Sequence, residues 1–161
     1  MSQKIVPNLW FDGQAREAAE FYVSVFKDGR VLSSADYTED SPGETGEEMV
    51  VEWELNGQRF IGINGGPQFK FDEAVSFQIT CEDQDEVDYY WEKLTEGGEE
   101  SQCGWLKDKF GLSWQVTPKG MGELFSDSDK ERANRAMQAM LKMKKLDIAE
   151  LRAAADGVPA A

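Results

Sequence analysis

The chain contains no histidine and only two cysteines, Cys81 and Cys103, among its 161 residues. Imidazole is the commonest metal ligand and general base in proteins, so every active site built on histidine is excluded. Two cysteines are too few for a disulfide framework, and no charged, apolar and cleavable leader opens the sequence. We therefore expect a cytoplasmic protein.

Long apolar runs and positive charge are also scarce. No segment approaches the ~20 apolar residues that a membrane-spanning helix needs. Lysine and arginine number 17 against 31 aspartates and glutamates, a formal net charge of −14, and no cation occurs between Asp36 and Glu54. The negative electrostatic potential of so acidic a protein repels phosphate backbones and anionic lipids. We therefore expect neither a nucleic-acid partner nor a membrane partner.

The first half of the chain has the pattern of one strand, one helix and three further strands. Asp12-Gly13 separates the first strand from apolar residues at helical spacing, and Gly29 ends that helix. Asn56-Gly57, a strong hairpin signal, joins the last two strands. The predicted elements are a strand at 5–11, a helix at 15–26, and strands at 30–37, 49–55 and 59–64.

The second half repeats that order. Gly97-Gly98 ends its helix, and a shift of 68 positions lays Phe21-Tyr22 on Tyr89-Tyr90 and Gly29 on Gly97. Matching elements in matching register predict an internal duplication. The predicted elements are a strand at 74–80, a helix at 83–94, and strands at 99–104, 105–109 and 112–117.

Helical patterns return after residue 126. A capping box of Ser128 and Glu131 predicts the start of one helix, and Asp147 with Glu150 predicts a second. Met137 and its neighbours form an apolar helix face suited to core or subunit packing, and we expect a homodimer. The predicted domain organisation is one domain at 1–125 with modules at about 4–64 and 73–118, a helical extension at 126–155 and a frayed tail at 156–161.

Several separated motifs resemble one bacterial family. They are Pro7-Asn8-Leu9-Trp10-Phe11, Glu17-Ala18-Ala19-Glu20-Phe21-Tyr22, Asn64-Gly65-Gly66-Pro67, Val87-Asp88-Tyr89-Tyr90-Trp91, Cys103-Gly104-Trp105-Leu106-Lys107-Asp108 and Gly111-Leu112-Ser113-Trp114-Gln115. The chain resembles the PhnB-like, or 3-demethylubiquinone-9 3-methyltransferase-like, subfamily of the vicinal-oxygen-chelate (glyoxalase/bleomycin-resistance) superfamily. The resemblance implies an α+β fold in which two tandem βαβββ modules form a curved, mixed, mostly antiparallel sheet around a cavity, followed by C-terminal helices.

Metal-dependent members of that superfamily bind a divalent ion, typically through histidine and glutamate. The resemblance places those ligand positions at about Val6, Ile61, Ala74 and Gln115, and shifting the alignment by one pleat substitutes Asn8 and Ser76. Aliphatic side chains cannot ligate an ion, and an amide oxygen is a weak, neutral ligand. We therefore expect no metal and no other cofactor.

Alternation along the strands predicts which side chains face a cavity, since residues two apart share a face of a sheet. Pro7, Leu9 and Phe11 are expected to pack under the helix, as are Val75, Phe77 and Ile79. A neutral pocket of amides, hydroxyls and one indole suits an apolar or aromatic molecule, although these polar groups could instead satisfy one another. The predicted ligand-binding residues are Val6, Asn8, Trp10, Ser76, Gln78, Ser113 and Gln115.

Three functions remain open at this stage. The first is a metal-independent small-molecule-binding protein, and the second is an enzyme of the same superfamily, such as a lyase, isomerase or dioxygenase-like member. In that case Glu52 or Glu54 is a candidate general base, although solvated carboxylates are the commoner case. The third is an interaction protein whose C-terminal helices form the functional surface. Methyl transfer from adenosylmethionine is not expected, because no Gly-x-Gly-x-Gly turn is present.

Overall fold

The computed structural model describes residues 3–159, which form an α+β structure with two four-stranded mixed sheets. The described residues group into two compact units that divide between Phe71 and Asp72. Each unit contains one strand-helix-three-strand module, so the predicted fold class is confirmed. No helix among residues 3–159 has the length and apolar character needed to span a bilayer.

The first unit has one helix and four strands. They are β1 (Asn8–Phe11), α1 (Ala15–Val25), β2 (Arg30–Asp36), β3 (Glu48–Leu55) and β4 (Gln58–Asn64). The strand order is β1-β4-β3-β2, with β1 and β4 parallel and the other neighbours antiparallel. Asn56 and Gly57 have φ angles of 48° and 81°, so the predicted hairpin turn between β3 and β4 is confirmed.

Helix α1 covers one face of this sheet. Its buried side is mostly alanine, which lets the helix backbone approach the strands closely. Gly62 in β4 has the same effect, since a Cβ there would lie 3.0 Å from the Cβ of Ala15 and 2.9 Å from the Trp53 ring. The fully buried Trp53 stacks between Tyr22 of α1 and Phe60 of β4.

The second unit repeats the plan of the first. Its module consists of β5 (Ser76–Cys81), α2 (Gln84–Thr95), β6 (Glu99–Glu100), β7 (Trp105–Lys107) and β8 (Ser113–Pro118). The strand order β5-β8-β7-β6, with β5 and β8 parallel, is equivalent to that of the first unit. The two modules begin at Asn8 and Ser76, 68 positions apart, as the predicted duplication requires.

The predicted strand at 99–104 is wrong beyond residue 100. Cys103 and Gly104 have φ angles of 59° and 85°, which no strand accommodates. Their amides donate instead to the carbonyls of Met143 and Lys144, at 2.9 and 2.8 Å. The chain around Met143 and Lys144 is thereby held against the residues that precede β7.

A buried carboxylate organises the turn between β7 and β8. Asp108 is 3% exposed, and its Oδ1 accepts hydrogen bonds from the amides of Phe110 and Leu112, at 2.9 and 3.1 Å. Its Oδ2 accepts from the indole Nε1 of Trp114 at 2.9 Å. Three donors satisfy this charge in the core, so the Asp108 motif is structural.

Three helices follow the second module. They are α3 (Met121–Phe125), α4 (Lys130–Met140) and α5 (Ile148–Ala155). Asp129, and not the predicted Ser128, caps α4, because its carboxylate accepts from the amides of Glu131 and Arg132. The predicted cap Asp147 on α5 is confirmed.

Part of the predicted frayed tail is hydrogen-bonded to α5. The amides of Asp156 and Val158 donate to the carbonyls of Arg152 and Ala153, at 3.0 and 2.9 Å. Residues 160 and 161 of that tail lie outside the described residues. The predicted domain boundaries stay a prediction.

Candidate ligand-binding site

Three of the predicted site residues belong to the first unit. Asn8 and Trp10 alternate with the buried Leu9 and Phe11, so they lie on the sheet face opposite α1, as predicted. The Nδ2 of Asn8 donates to the carbonyl of Val6 at 3.0 Å, which holds that amide locally.

The other four predicted residues belong to the second unit and share the face opposite α2. The register of β5 with β8 pairs Ser76 with Ser113 and Gln78 with Gln115. Gln115 donates through Nε2 to the Ser76 hydroxyl at 2.9 Å, and Gln78 donates to Thr80 at 3.3 Å. The Ser113 hydroxyl is buried and is without a hydrogen-bond partner among the described residues. The ligand-binding role of all seven residues stays a prediction.

One side chain does not follow the predicted alternation. Val75 was expected to pack beneath the helix with Phe77 and Ile79, and instead it is 62% exposed. The expectation is wrong because β5 and its pairing with β8 begin only at Ser76, so Val75 lies outside the sheet.

A cleft of about 800 Å³ lies at one end of the first sheet, where β1 and β4 end and β3 begins. The 37–47 segment between β2 and β3 supplies part of its wall. The residues that line it are Trp10, Asp12, Gly13, Tyr37, Pro42, Gly43, Glu44, Glu47, Glu48, Met49, Ile63, Asn64, Gly65 and Gly66. Trp10 is the predicted site residue that the structure places in this cleft.

Two aromatic rings in the cleft wall rest on glycines. The Nε1 of Trp10 donates to the carbonyl of Gly66 at 2.9 Å, and a Cβ on Gly65 would lie 2.2 Å from Cζ2 of the same ring. A Cβ on Gly43 would lie 2.4 Å from the Tyr37 ring, whose hydroxyl donates to the carbonyl of Asn64. Because no side chain intervenes, both rings are held against the backbone.

Asn64 ties together the elements around the cleft. Its Oδ1 accepts from the amide of Ala15 at the start of α1 (2.9 Å), and its Nδ2 donates to the carbonyl of Glu48 at the start of β3 (3.0 Å). One side chain therefore fixes the end of β4 to both neighbours. Asn64, Gly65 and Gly66 together form part of the cleft wall.

One of the acidic residues that line the cleft, Glu48, forms an ion pair with an arginine. Glu48 accepts hydrogen bonds from Arg16 on α1, at 3.1 Å to Nε, and Arg16 lowers the pKa of this carboxyl below its usual range. Its charge therefore persists at mildly acidic pH and is balanced by the guanidinium.

The candidate bases Glu52 and Glu54 lie on the sheet face opposite the buried Val51 and Trp53. Each is ion-paired, Glu52 with Arg59 (Oε1 to Nε, 2.6 Å) and Glu54 with Arg30 (2.9 Å). Neither lines the cleft.

The positions that hold a metal in relatives of this fold do not fit one here. Ile61 of β4 pairs with Asn8 of β1 on one side and with Glu52 of β3 on the other. An aliphatic side chain therefore lies at the middle of these three neighbouring strand positions. The amide nitrogen of Gln115 is already bonded to Ser76. Among residues 3–159, no group of three or more cysteine, aspartate or glutamate side chains is placed to hold an ion. We assign no step to a metal.

Comparisons with known proteins give the following matches. The model of a family described as 3-demethylubiquinone-9 3-methyltransferase matches residues 3–117. A solved Bacillus cereus structure described by that same activity and as a PhnB protein is 37% identical, with a TM-score of 0.65, and the match covers 72% of this chain and 99% of that chain. None of the curated proteins matches.

Two more distant structures share the fold. A Pseudomonas aeruginosa protein is 22% identical with a TM-score of 0.59, over 73% of this chain and 98% of that chain. The fosfomycin resistance protein FosX from Listeria monocytogenes, complexed with Mn(II) and sulfate, is 17% identical with a TM-score of 0.51, over 72% and 91% of the two chains.

Proposed function

This chain belongs to the 3-demethylubiquinone-9 3-methyltransferase, or PhnB-like, family of the glyoxalase/bleomycin-resistance superfamily, and we propose that it is a metal-independent small-molecule-binding protein. The observation that carries this proposal is the cleft of about 800 Å³ in the first unit, with Trp10 and Tyr37 in its wall. Concave sites of this size, with aromatic walls and a few polar groups, are typical of small-molecule binding.

The rigid placement of the two rings supports binding by a preformed site. Gly65 and Gly43 let the rings of Trp10 and Tyr37 lie against the backbone, and a hydrogen bond fixes each ring. A wall that is already in place costs little side-chain entropy when a ligand binds. Gln78 and Gln115, the predicted amides of the second unit, are candidates for a separate ligand-binding surface on that unit.

Metal independence is proposed from the side chains at the ligand positions. Val6, Ile61 and Ala74 offer no donor atoms, and affinity for divalent ions depends on thiolate, imidazole or carboxylate donors. Protein purified without a chelator should therefore carry well under one equivalent of zinc, manganese, nickel or iron.

Methyl transfer is not part of the proposal, despite the family's name. Adenosylmethionine enzymes of the usual class bind the cofactor at a glycine-rich turn at the edge of a doubly wound parallel sheet. Each sheet here contains a single parallel pair, and Asp12-Gly13-Gln14 connects β1 to α1 without such a turn.

The alternative is an enzyme of the same superfamily, a lyase, isomerase or dioxygenase-like protein that uses an atypical metal site or none. Glu52 is the observation in its favour, because it lies on the open face of the first sheet in register with Ile61 and Asn8. Against it, Arg59 already holds this carboxylate in an ion pair, with 2.6 Å between Arg59 Nε and Glu52 Oε1.

Homodimer formation and a cytoplasmic location are also proposed. Met137 on α4 is 36% exposed, and Leu141, the residue directly after α4, is 60% exposed. Exposed apolar side chains of this kind are suited to burial in a subunit contact. Cys81 and Cys103 are both free thiols, as expected in a reducing compartment. Sedimentation showing only monomer at micromolar concentration contradicts the dimer.

A thermal-shift screen of aromatic and cationic metabolites and antibiotics tests the binding proposal. A true ligand stabilises the folded state by RT ln(1 + [L]/Kd), roughly 2.7 kcal/mol at a hundredfold excess over Kd. Trp10→Ala should remove the response to a ligand of the cleft, and Gln115→Ala should weaken about tenfold a ligand that the second unit binds through that amide. If a ligand binds both variants as well as it binds the wild type, the functional surface lies elsewhere.

A further inference from the structure

The cleft of the first unit is acidic, and no lysine or arginine of the described residues 3–159 is among those that line it. Asp12, Glu44 and Glu47 line it, and none of the three takes part in a salt bridge among residues 3–159. The fourth carboxylate, Glu48, is paired with Arg16. Three uncompensated negative charges therefore surround a concave surface, which concentrates the electrostatic potential inside it.

The apolar part of the wall is continuous with these charges. Trp10, Tyr37, Met49 and Ile63 contribute side chains to the same cleft. The faces of indole and phenol rings carry negative electrostatic potential and attract cations within about 6 Å. The aromatic rings and the carboxylates therefore favour the same sign of ligand charge.

The carboxylates of the cleft are not grouped as a metal-binding cluster among the described residues. Within the part of the chain that the structure describes, no three acidic or thiol side chains are arranged to hold a metal. Charge spread along the wall of a cleft of about 800 Å³ instead matches a larger cation whose body also contacts the rings.

Resting on the ligand-binding function proposed above, we propose that the ligand of this cleft is an organic cation, an ammonium or guanidinium group on an apolar or aromatic body. The body packs between the rings of Trp10 and Tyr37, and the charged group lies toward Asp12, Glu44 and Glu47. A neutral molecule of the same shape gains only the apolar contacts, and an anion is repelled.

Titration calorimetry with benzyltrimethylammonium, whose charge does not depend on pH, tests the ligand class. Benzyl alcohol is the neutral control and benzoate the anionic one. The cation should bind at least tenfold more tightly than the alcohol in low salt, benzoate should not bind, and raising the salt concentration should weaken the cation alone.

Two triple variants separate local charge from net charge. Asp12→Asn/Glu44→Gln/Glu47→Gln should weaken the cation at least tenfold and leave the alcohol unchanged. A matched variant removes three exposed charges from α2 and its C-cap residue, Asp85→Asn/Glu92→Gln/Glu96→Gln, and should change cation binding less than twofold. All six residues are exposed. Thermal melting of both variants checks that they fold before binding is compared.

Two results overturn the inference. The first is equal affinity for cation and alcohol, both lost in Trp10→Ala, which leaves small-molecule binding at the cleft intact but shows that charge does not select the ligand. The second is no binding of the cation while other compounds in the thermal-shift screen bind. Failure of every compound, including this cation, refutes the proposed function itself.

Discussion

Gly65→Ala is the substitution whose effect follows most directly from the geometry of the cleft. The new Cβ would lie 2.2 Å from Cζ2 and 2.3 Å from Cη2 of Trp10, well inside any permitted contact. The ring must move, and its hydrogen bond to the carbonyl of Gly66 (2.9 Å) must lengthen or break. Gly65 does not have a positive φ angle, so the cost is steric and does not come from backbone strain.

The expected loss of stability has two parts. Overpacking of this kind costs about 1–3 kcal/mol. A lost hydrogen bond adds about 0.5–1.5 kcal/mol. The free energy of unfolding should therefore fall by about 1.5–4.5 kcal/mol, measured by urea denaturation with tryptophan fluorescence, and the ligand response should be lost as well.

Gly122→Ala is the matched control, because nothing lies within 4 Å of a Cβ at that position on α3 and its φ angle is not positive. It should change stability by less than about 1 kcal/mol. Trp10→Leu should partly rescue Gly65→Ala, since a smaller side chain makes room for the methyl group. The contact is refuted if the double variant loses as much stability as the Gly65→Ala and Trp10→Leu variants lose together. It is also refuted if Gly65→Ala is as stable as the wild type.

Three further predictions concern packing and ionisation. Asp108→Ala leaves the Trp114 indole and the amides of Phe110 and Leu112 without their acceptor, and should destabilise the protein by at least about 3 kcal/mol in urea denaturation. A loss below about 1 kcal/mol contradicts the network. Burial raises the pKa of the Cys81 thiol to about 12, so in native protein at pH 8 iodoacetamide should modify Cys103 and spare Cys81, as peptide mass mapping would show. Because Arg16 lowers the pKa of Glu48, their pair stabilises the fold above the ordinary glutamate pKa of about 4.3 and loses this effect as the pH falls through the lowered value. The stability difference between wild type and Arg16→Met should thus be constant from pH 7 to 5 and shrink below it, and a difference that grows in acid contradicts the assignment.

The sequence predicts the strands and helices best where local signals agree with packing. The period-two pattern around Val51 and Trp53 identifies β3, and Asn56-Gly57 fixes the turn after it. The strand expected to continue to Gly104 fails because carbonyls some forty positions later compete for its amides, a contact that no local pattern reveals. The cap of α4 is misplaced by one residue because Ser128 and Asp129 are both good capping residues.

The candidate site was only partly predictable for the same reason. Trp10 could be assigned to the open face of β1 from alternation alone, and the structure places it in the cleft. Tyr37 and Asn64 were missed, because their roles depend on how the 37–47 segment returns to β3. The glycines at 43 and 65 were a usable signal, since each allows an aromatic ring to rest on the backbone.

The most direct test of small-molecule binding at the cleft is native mass spectrometry of wild type and Trp10→Ala, expressed and purified identically without chelator. The account predicts that the wild type carries a small organic molecule that is absent from Trp10→Ala, and that neither protein carries stoichiometric metal. A stoichiometric divalent metal on the wild type, or the same organic adduct on both proteins, would contradict it.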